Sequence, residues 1–156
     1  MLRGAHAIAL DSKGRLAVPT KYRAYLDEQC GGRYVCTIDI SNRCLLLYPL
    51  NKWELLEKKL SSLSSVDENE RRLQRLLLGY ASDCETDANG RLLIAPVLRE
   101  YAGLEKNVML VGQLNRFEIW SDENWKASVS SDLASISASD WNSSPRLREF
   151  TLNDSL

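Results

Sequence analysis

Asp11-Ser12-Lys13-Gly14-Arg15-Leu16-Ala17-Val18-Pro19 returns downstream as Asp87-Ala88-Asn89-Gly90-Arg91-Leu92-Leu93-Ile94-Ala95-Pro96. Both copies read Asp-x-x-Gly-Arg-Leu, an apolar strand, then proline. Setting Pro19 opposite Pro96 takes a one-residue insertion. In such a turn the aspartate accepts a backbone N–H across the reversal, and the glycine adopts a positive φ. The arginine then opens the outgoing strand, where the aspartate can hold its guanidinium by a charge-assisted bond. One such stretch is an ordinary hairpin turn. Two of them, followed by the same succession of elements, indicate a duplicated folding unit.

The match runs on beyond the prolines. Lys21-Tyr22-Arg23-Ala24-Tyr25-Leu26 and Val97-Leu98-Arg99-Glu100-Tyr101-Ala102 each read as a short helix, with Gly103 as a stop. Tyr34–Ile38 and Asn107–Val111 read as strands, and each leads through a polar turn into a second strand, Asn42–Leu47 or Asn115–Trp120. Trp53 and Trp125 each lie at the start of a helix, behind expected caps at Asn51 and Ser121, with Asn51-x-x-Glu54 resembling a capping box. Between the halves, an acidic first turn at Asp67–Glu70 and a Gly79 stop frame another helix. Leu73, Leu76, Leu77 and Tyr80 form its expected apolar face, and Arg71, Arg72 and Arg75 its basic one. The pattern divides the chain into a first repeat (residues 1–53), a helical connector (54–80), a second repeat (81–128) and a polar tail (129–156). A loosely packed helix or partial disorder is expected from Ser130 onward.

At 156 residues with 44% hydrophobic and 26% charged content, the chain can bury a core without staples. Nothing in it approaches the roughly 20 apolar residues of a membrane span, and no secretory leader is evident, so a cytoplasmic location is expected. Cys30, Cys36, Cys44 and Cys84 form no C-x-x-C pair, and His6 is the sole histidine, so the cysteines are expected to be reduced and structural with no metal bound. There is no phosphate-binding loop and no nucleophile elbow. No catalytic role, cofactor or small-molecule substrate is therefore expected.

The net charge of −1 argues against a nucleic-acid partner, but its distribution argues the other way. Residues 1–25 hold five basic side chains against one acidic, whereas residues 118–156 hold three basic against seven acidic. An arginine's planar fork can take guanine O6 and N7 together in the major groove, which also admits a two-stranded β-ribbon. The alternative is that both turns are structural, with Asp–Arg pairs fixing their geometry. The first copy, with Lys13, Lys21 and Arg23, is the better phosphate-facing one; the second, with Asn89, Leu98 and Arg99, is open between a supporting and a structural role.

Arg3-Gly4, Asp11–Thr20, Cys36-Thr37-Ile38-Asp39, Leu45–Pro49, Glu70–Gly79 and Gly90–Pro96 together closely resemble the MraZ family, over residues 1 to about 125. The resemblance implies an α+β, mainly β fold: a double-split β-barrel of the SpoVT-AbrB type, made from two pseudo-repeats with swapped hairpins and flanked by helices. It further implies a nucleoid-associated transcriptional regulator that forms a homo-oligomeric ring. Its partner would be double-stranded promoter DNA, read at G-rich direct repeats upstream of its own gene in the division and cell-wall cluster. The family's paired signature falls on Asp11 with Arg15 and on Asp87 with Arg91. Arg15 is the firmest DNA contact, Arg91 its counterpart, and Lys13 and Arg3 extend the surface by charge; Asp11, Gly14, Asp87 and Gly90 orient the turns. An antitoxin-like module on the same barrel, gripping a partner protein, is the alternative, and a small hydrolase is disfavoured by the missing nucleophile and base.

Overall fold

The computed structural model describes residues 1–138 and 144–150. In chain order the elements are β1 (Leu2–Ala9), β2 (Arg15–Ala17), α1 (Thr20–Cys30), β3 (Arg33–Ile38), β4 (Leu45–Pro49), α2 (Leu50–Ser61) and α3 (Glu68–Gly79), followed by β5 (Ser82–Glu85), β6 (Arg91–Leu93), α4 (Pro96–Ala102), β7 (Asn107–Leu114), β8 (Arg116–Ser121), α5 (Asp122–Ala138) and α6 (Pro145–Arg148). Residues Met1–Asp122 form one compact unit, and the rest of the chain forms a second.

All strand pairs of the first unit are antiparallel. Six strands run in the order β1-β7-β8-β4-β3-β5, and β2 pairs with β6 in a separate two-stranded ladder. The pairing is reciprocal. The leading strand of the first repeat, β1, lies on the hairpin of the second, with Leu2 opposite Leu114 and Ala9 opposite Asn107. The leading strand of the second, β5, lies on the hairpin of the first, with Arg33 opposite Glu85 and Cys36 opposite Ser82. This is the expected swap within an α+β architecture. The sheet is open, with β1 and β5 at its edges, so the strands do not close hydrogen-bonded into a barrel.

The registers reveal a local two-fold relation. Leu16 faces Leu92 at the middle of the β2–β6 ladder, and Leu46 faces Glu118 at the middle of β4–β8. Leu16, Leu45, Leu47, Leu92, Ile94, Leu98, Leu110, Phe117 and Ile119 are fully buried around that relation. Each such side chain contributes about 1.5–3 kcal/mol by leaving water. Both halves therefore share one core, and neither owns a complete one.

Several local readings are corrected. Val18 N–H donates to Gly90 O and Ile94 N–H to Gly14 O, so Val18 and Ile94 are equivalent and no insertion is needed before Pro96. Pro19 is the N-cap of α1, while Pro96 is the first residue of α4 behind Ala95; α1 is simply the longer helix, at 11 residues against 7. Asn51 is not a cap. Pro49 precedes α2, and Asn51 lies inside the helix, donating to Gln29 Oε1 at 3.3 Å. In α3, Asp67 does cap, accepting from the Glu70 N–H at 2.9 Å, but only Leu77 is buried, and Leu76 is exposed. Gly103 ends α4 in the left-handed conformation as expected, whereas Gly79 is merely the last residue of α3.

Trp53 and Trp120 are buried, their indole N–H groups donating to Glu57 and Glu118. In the second unit α5 runs to Ala138 and α6 begins behind a Ser144 cap. The expectation of a loose tail falls partly, and Trp141 wholly, outside the described residues. Among the described residues no helix is long and apolar enough to cross a membrane.

Candidate nucleic-acid interface

Each Asp-x-x-Gly-Arg turn is built as its residue types dictate. Asp11 Oδ1 accepts the N–H groups of Lys13 and Arg15, both at 2.9 Å, and Gly14 N–H closes the turn on Asp11 O. Asp87 Oδ1 likewise accepts from Asn89 at 2.8 Å and Arg91 at 3.0 Å, with Gly90 N–H on Asp87 O. Gly14 and Gly90 take φ values of 83° and 72°, a region that penalises any side chain. These contacts hold Asp11 ionised. The Arg15 backbone N–H foremost, helped by its guanidinium and the Lys13 N–H against some desolvation, brings the carboxyl down to about 2 from an ordinary 3.8. Asp87 is lowered in the same way, chiefly by the Arg91 N–H.

The β2–β6 ladder brings the two turns together. Arg15 Nε donates to Asp11 Oδ2 at 2.6 Å, and Arg91 Nε to Asp87 Oδ2 at 3.2 Å. Across the repeats, Arg91 Nη1 reaches Asp11 Oδ2 at 3.4 Å, and Arg15 Nη1 lies 4.0 Å from Asp87 Oδ2. Two arginines and two aspartates thus form one four-charge cluster, and the chain has one composite tip instead of two separate turns. The side chains of Arg15 and Arg91 stay 28% and 30% exposed, and among the described residues neither Nη2 has a partner. Each guanidinium is thus held through Nε and Nη1, which leaves Nη2 as the donor for an outside partner.

The cluster itself is neutral. Around it, residues 11–23 and 87–99 add Lys13, Lys21, Arg23 and Arg99 and no further acidic residue, in a chain whose net charge is −1; Lys21 Nζ lies 4.8 Å over the Tyr22 ring. Lys13 and Lys21 are exposed. A groove of about 490 Å3 beside the first turn adds Lys106, along with Glu105. Arg3 is not brought to the tip: it lies eight residues before Asp11 in sequence, roughly 25 Å of extended chain up β1.

Arg23 and Arg99 are joined to the turns by contacts that the sequence did not disclose. Arg23 Nε donates to Val18 O at 3.0 Å, and Arg99 Nε to Ile94 O at 2.9 Å. Their equivalence follows from a constant spacing: each stands nine residues after its turn glycine. Aligning the two prolines hides that spacing by one residue.

Asp39, Cys44 and Glu118 bring potential ligand atoms within 4.8 Å of one another. Their contacts are hydrogen bonds: Cys44 Sγ to Asp39 Oδ2 at 3.5 Å, and Trp120 Nε1 to Glu118 Oε1 at 2.9 Å. Burial, with the nearby Glu118 and Asp39 carboxylates, pushes the Cys44 thiol far above its usual range.

Comparison with known proteins adds the following. The family model described as "MraZ protein, putative antitoxin-like" matches residues 1–76 and again 77–144. A protein of Tolumonas auensis named "Transcriptional regulator MraZ" is 64% identical over 152 residues, covering 97% of this chain and all of that protein. Proteins of the same name from Psychromonas ingrahamii and Escherichia coli are each 56% identical with the same coverage.

Proposed function

The chain belongs to the MraZ family, and from that premise we propose that it is a sequence-specific transcriptional regulator that grips double-stranded DNA with its composite tip. The observation that carries this reading is the meeting of Arg15 and Arg91 in one braced, half-exposed cluster ringed by excess positive charge. Arg15 reads base edges, with Arg91 beside it; Lys13 contacts phosphate; Asp11, Gly14, Asp87 and Gly90 hold the turns. Arg3, up the strand, adds to the field and not to the contact. The two repeats (residues 1–53 and 81–128) supply the reading turns, with the connector (54–80) between them and the polar tail (129–156) after them.

One tip with a small charge excess binds weakly alone. The protein works as a homo-oligomeric ring whose copies engage successive G-rich direct repeats, gaining affinity through effective concentration. Direct repeats suit head-to-tail contacts between subunits. The target is the promoter upstream of its own gene in the division and cell-wall cluster, and the setting is the cytoplasm, at the nucleoid. The relatives' name, transcriptional regulator, supports this reading and gives no reason to assign catalysis.

The test is a binding titration against DNA directly upstream of the gene at several salt concentrations, paired with sizing of the protein. Affinity should fall linearly on a log–log salt scale. Arg15→Ala should cost about 1–3 kcal/mol per engaged site and blunt base preference, with the ring retained. Unchanged specific binding by that variant would overturn the assignment of Arg15. A salt-insensitive protein that instead copurifies with one stoichiometric partner would favour the antitoxin-like reading.

A further inference from the structure

We propose that Arg23 and Arg99 are positioning residues that lock the turns crosswise: Arg99, on α4 of the second repeat, fixes the Asp11–Arg15 turn, and Arg23, on α1 of the first, fixes the Asp87–Arg91 turn. The inference rests on the reading of these turns as the DNA contact.

The geometry is a closed loop made twice. Gly14 O accepts from the Ile94 N–H, Ile94 O accepts from Arg99 Nε, and the Arg99 guanidinium lies back against Gly14. A Cβ on Gly14 would stand 2.5 Å from Arg99 Cζ and 2.7 Å from its Nε. In the mirror copy, Gly90 O accepts from the Val18 N–H, Val18 O accepts from Arg23 Nε, and a Cβ on Gly90 would stand 2.8 Å from Arg23 Cζ. Each guanidinium occupies the space a side chain would need. Glycine is required at each turn for its positive φ, and its missing side chain leaves the space in which the guanidinium lies.

The chemistry calls for arginine. A flat, delocalised group can lie face-on against a glycine while its Nε–H stays in plane to reach a carbonyl. A lysine has one tetrahedral charge at the end of a flexible stem and cannot do both. The Nε bond fixes each arginine to its own repeat, and its face bears on the other. The consequence is that the direction of Arg15 depends on a helix about eighty residues later, and that of Arg91 on the helix following the first turn.

Amide hydrogen exchange on the full-length protein, followed by NMR, tests this without any DNA. Arg99→Ala should speed exchange at the Gly14 and Arg15 amides by about tenfold or more, while Gly90 and Arg91 keep their wild-type rates. Arg23→Ala should do the reverse, and neither Arg99→Lys nor Arg23→Lys should restore the wild-type pattern. Arg99→Met, which keeps an unbranched stem and loses the plate, serves if the alanine variant does not fold. Loosening of both turns alike, of the turn in the same repeat, or of neither overturns the proposal.

A DNA arm separates positioning from contact. In the charge-keeping Arg99→Lys and Arg23→Lys variants, a positioning role lowers the ratio of specific to non-specific affinity and leaves the salt slope unchanged. A role as phosphate contact alone leaves both the ratio and the slope at wild-type values, and that result overturns the proposal. If the wild-type protein binds no DNA specifically, the functional reading fails while the exchange result still decides the lock.

Discussion

Truncation of Leu16 to alanine tests the shared core most directly. Leu16 is fully buried at the middle of the β2–β6 ladder, facing the equally buried Leu92. Directly opposed Cβ atoms in an antiparallel pair lie about 4.5–5.5 Å apart, so the two side chains are in contact. Removing one isopropyl group from such a site costs about 2–5 kcal/mol, the sum of lost transfer energy and an unfilled void. A domain holds roughly 5–15 kcal/mol in all, so the single variant should fold with a clearly lowered urea midpoint and an unchanged m-value. Because the two sites are related by the local two-fold, Leu92→Ala should cost a similar amount. The double variant should cost less than the sum by about 0.5–3 kcal/mol, since the second truncation widens a void already opened. Urea unfolding of the four proteins completes the cycle. A single-site cost under about 1 kcal/mol, or a strictly additive double variant, would refute the claim that both halves close over one core.

Three further outcomes follow from individual contacts. The folded pKa of Asp11, about 2, lies below its ordinary 3.8, so the carboxylate's contribution to stability is complete above the ordinary value and fades as pH falls through the folded one. Acid unfolding of Asp11→Asn should lack that component between the two values. Thr37 Oγ1 donates to Leu77 O at 2.7 Å in a fully buried setting, so Thr37→Val should cost about 1–3 kcal/mol in thermal unfolding by stranding a carbonyl. Asp67→Ala removes the cap of α3 and should cost about 1 kcal/mol; a melting temperature equal to wild type would show that the cap is dispensable.

The sequence made the turns legible because their chemistry is local. Asp, Gly and Arg at fixed spacing suffice to build each one, and the structure shows those bonds at both Asp11 and Asp87. It made the swap legible only through family resemblance, since β1 carries no local mark distinguishing β7 from β3 as its partner. The convergence of Arg15 with Arg91 was hidden for the same reason: 76 residues separate them in sequence, and only the β2–β6 pairing joins them. The cross-repeat contacts of Arg23 and Arg99 escaped because only the β2–β6 pairing brings each onto the other repeat's turn, and because aligning the prolines hides an equivalence that sets Pro19 against Ala95. Asn51 misled as a cap because Pro49, with its fixed φ, already turns the chain into α2.

The exchange of leading strands also sets a timetable for synthesis. Leu2 must wait for Leu114, so with translation at about 5–20 residues per second the first strand made stays without its mate for roughly 5–20 s. A decoy emerges long before the mate does, because β3 is the look-alike of β7 in the earlier half. What separates the two outcomes is ladder length. β1 meets eight residues on β7, whereas β3 is only six residues long. The longer ladder gives the late arrival the advantage, and the first strand reaches its place by thermodynamic preference, not by order of birth.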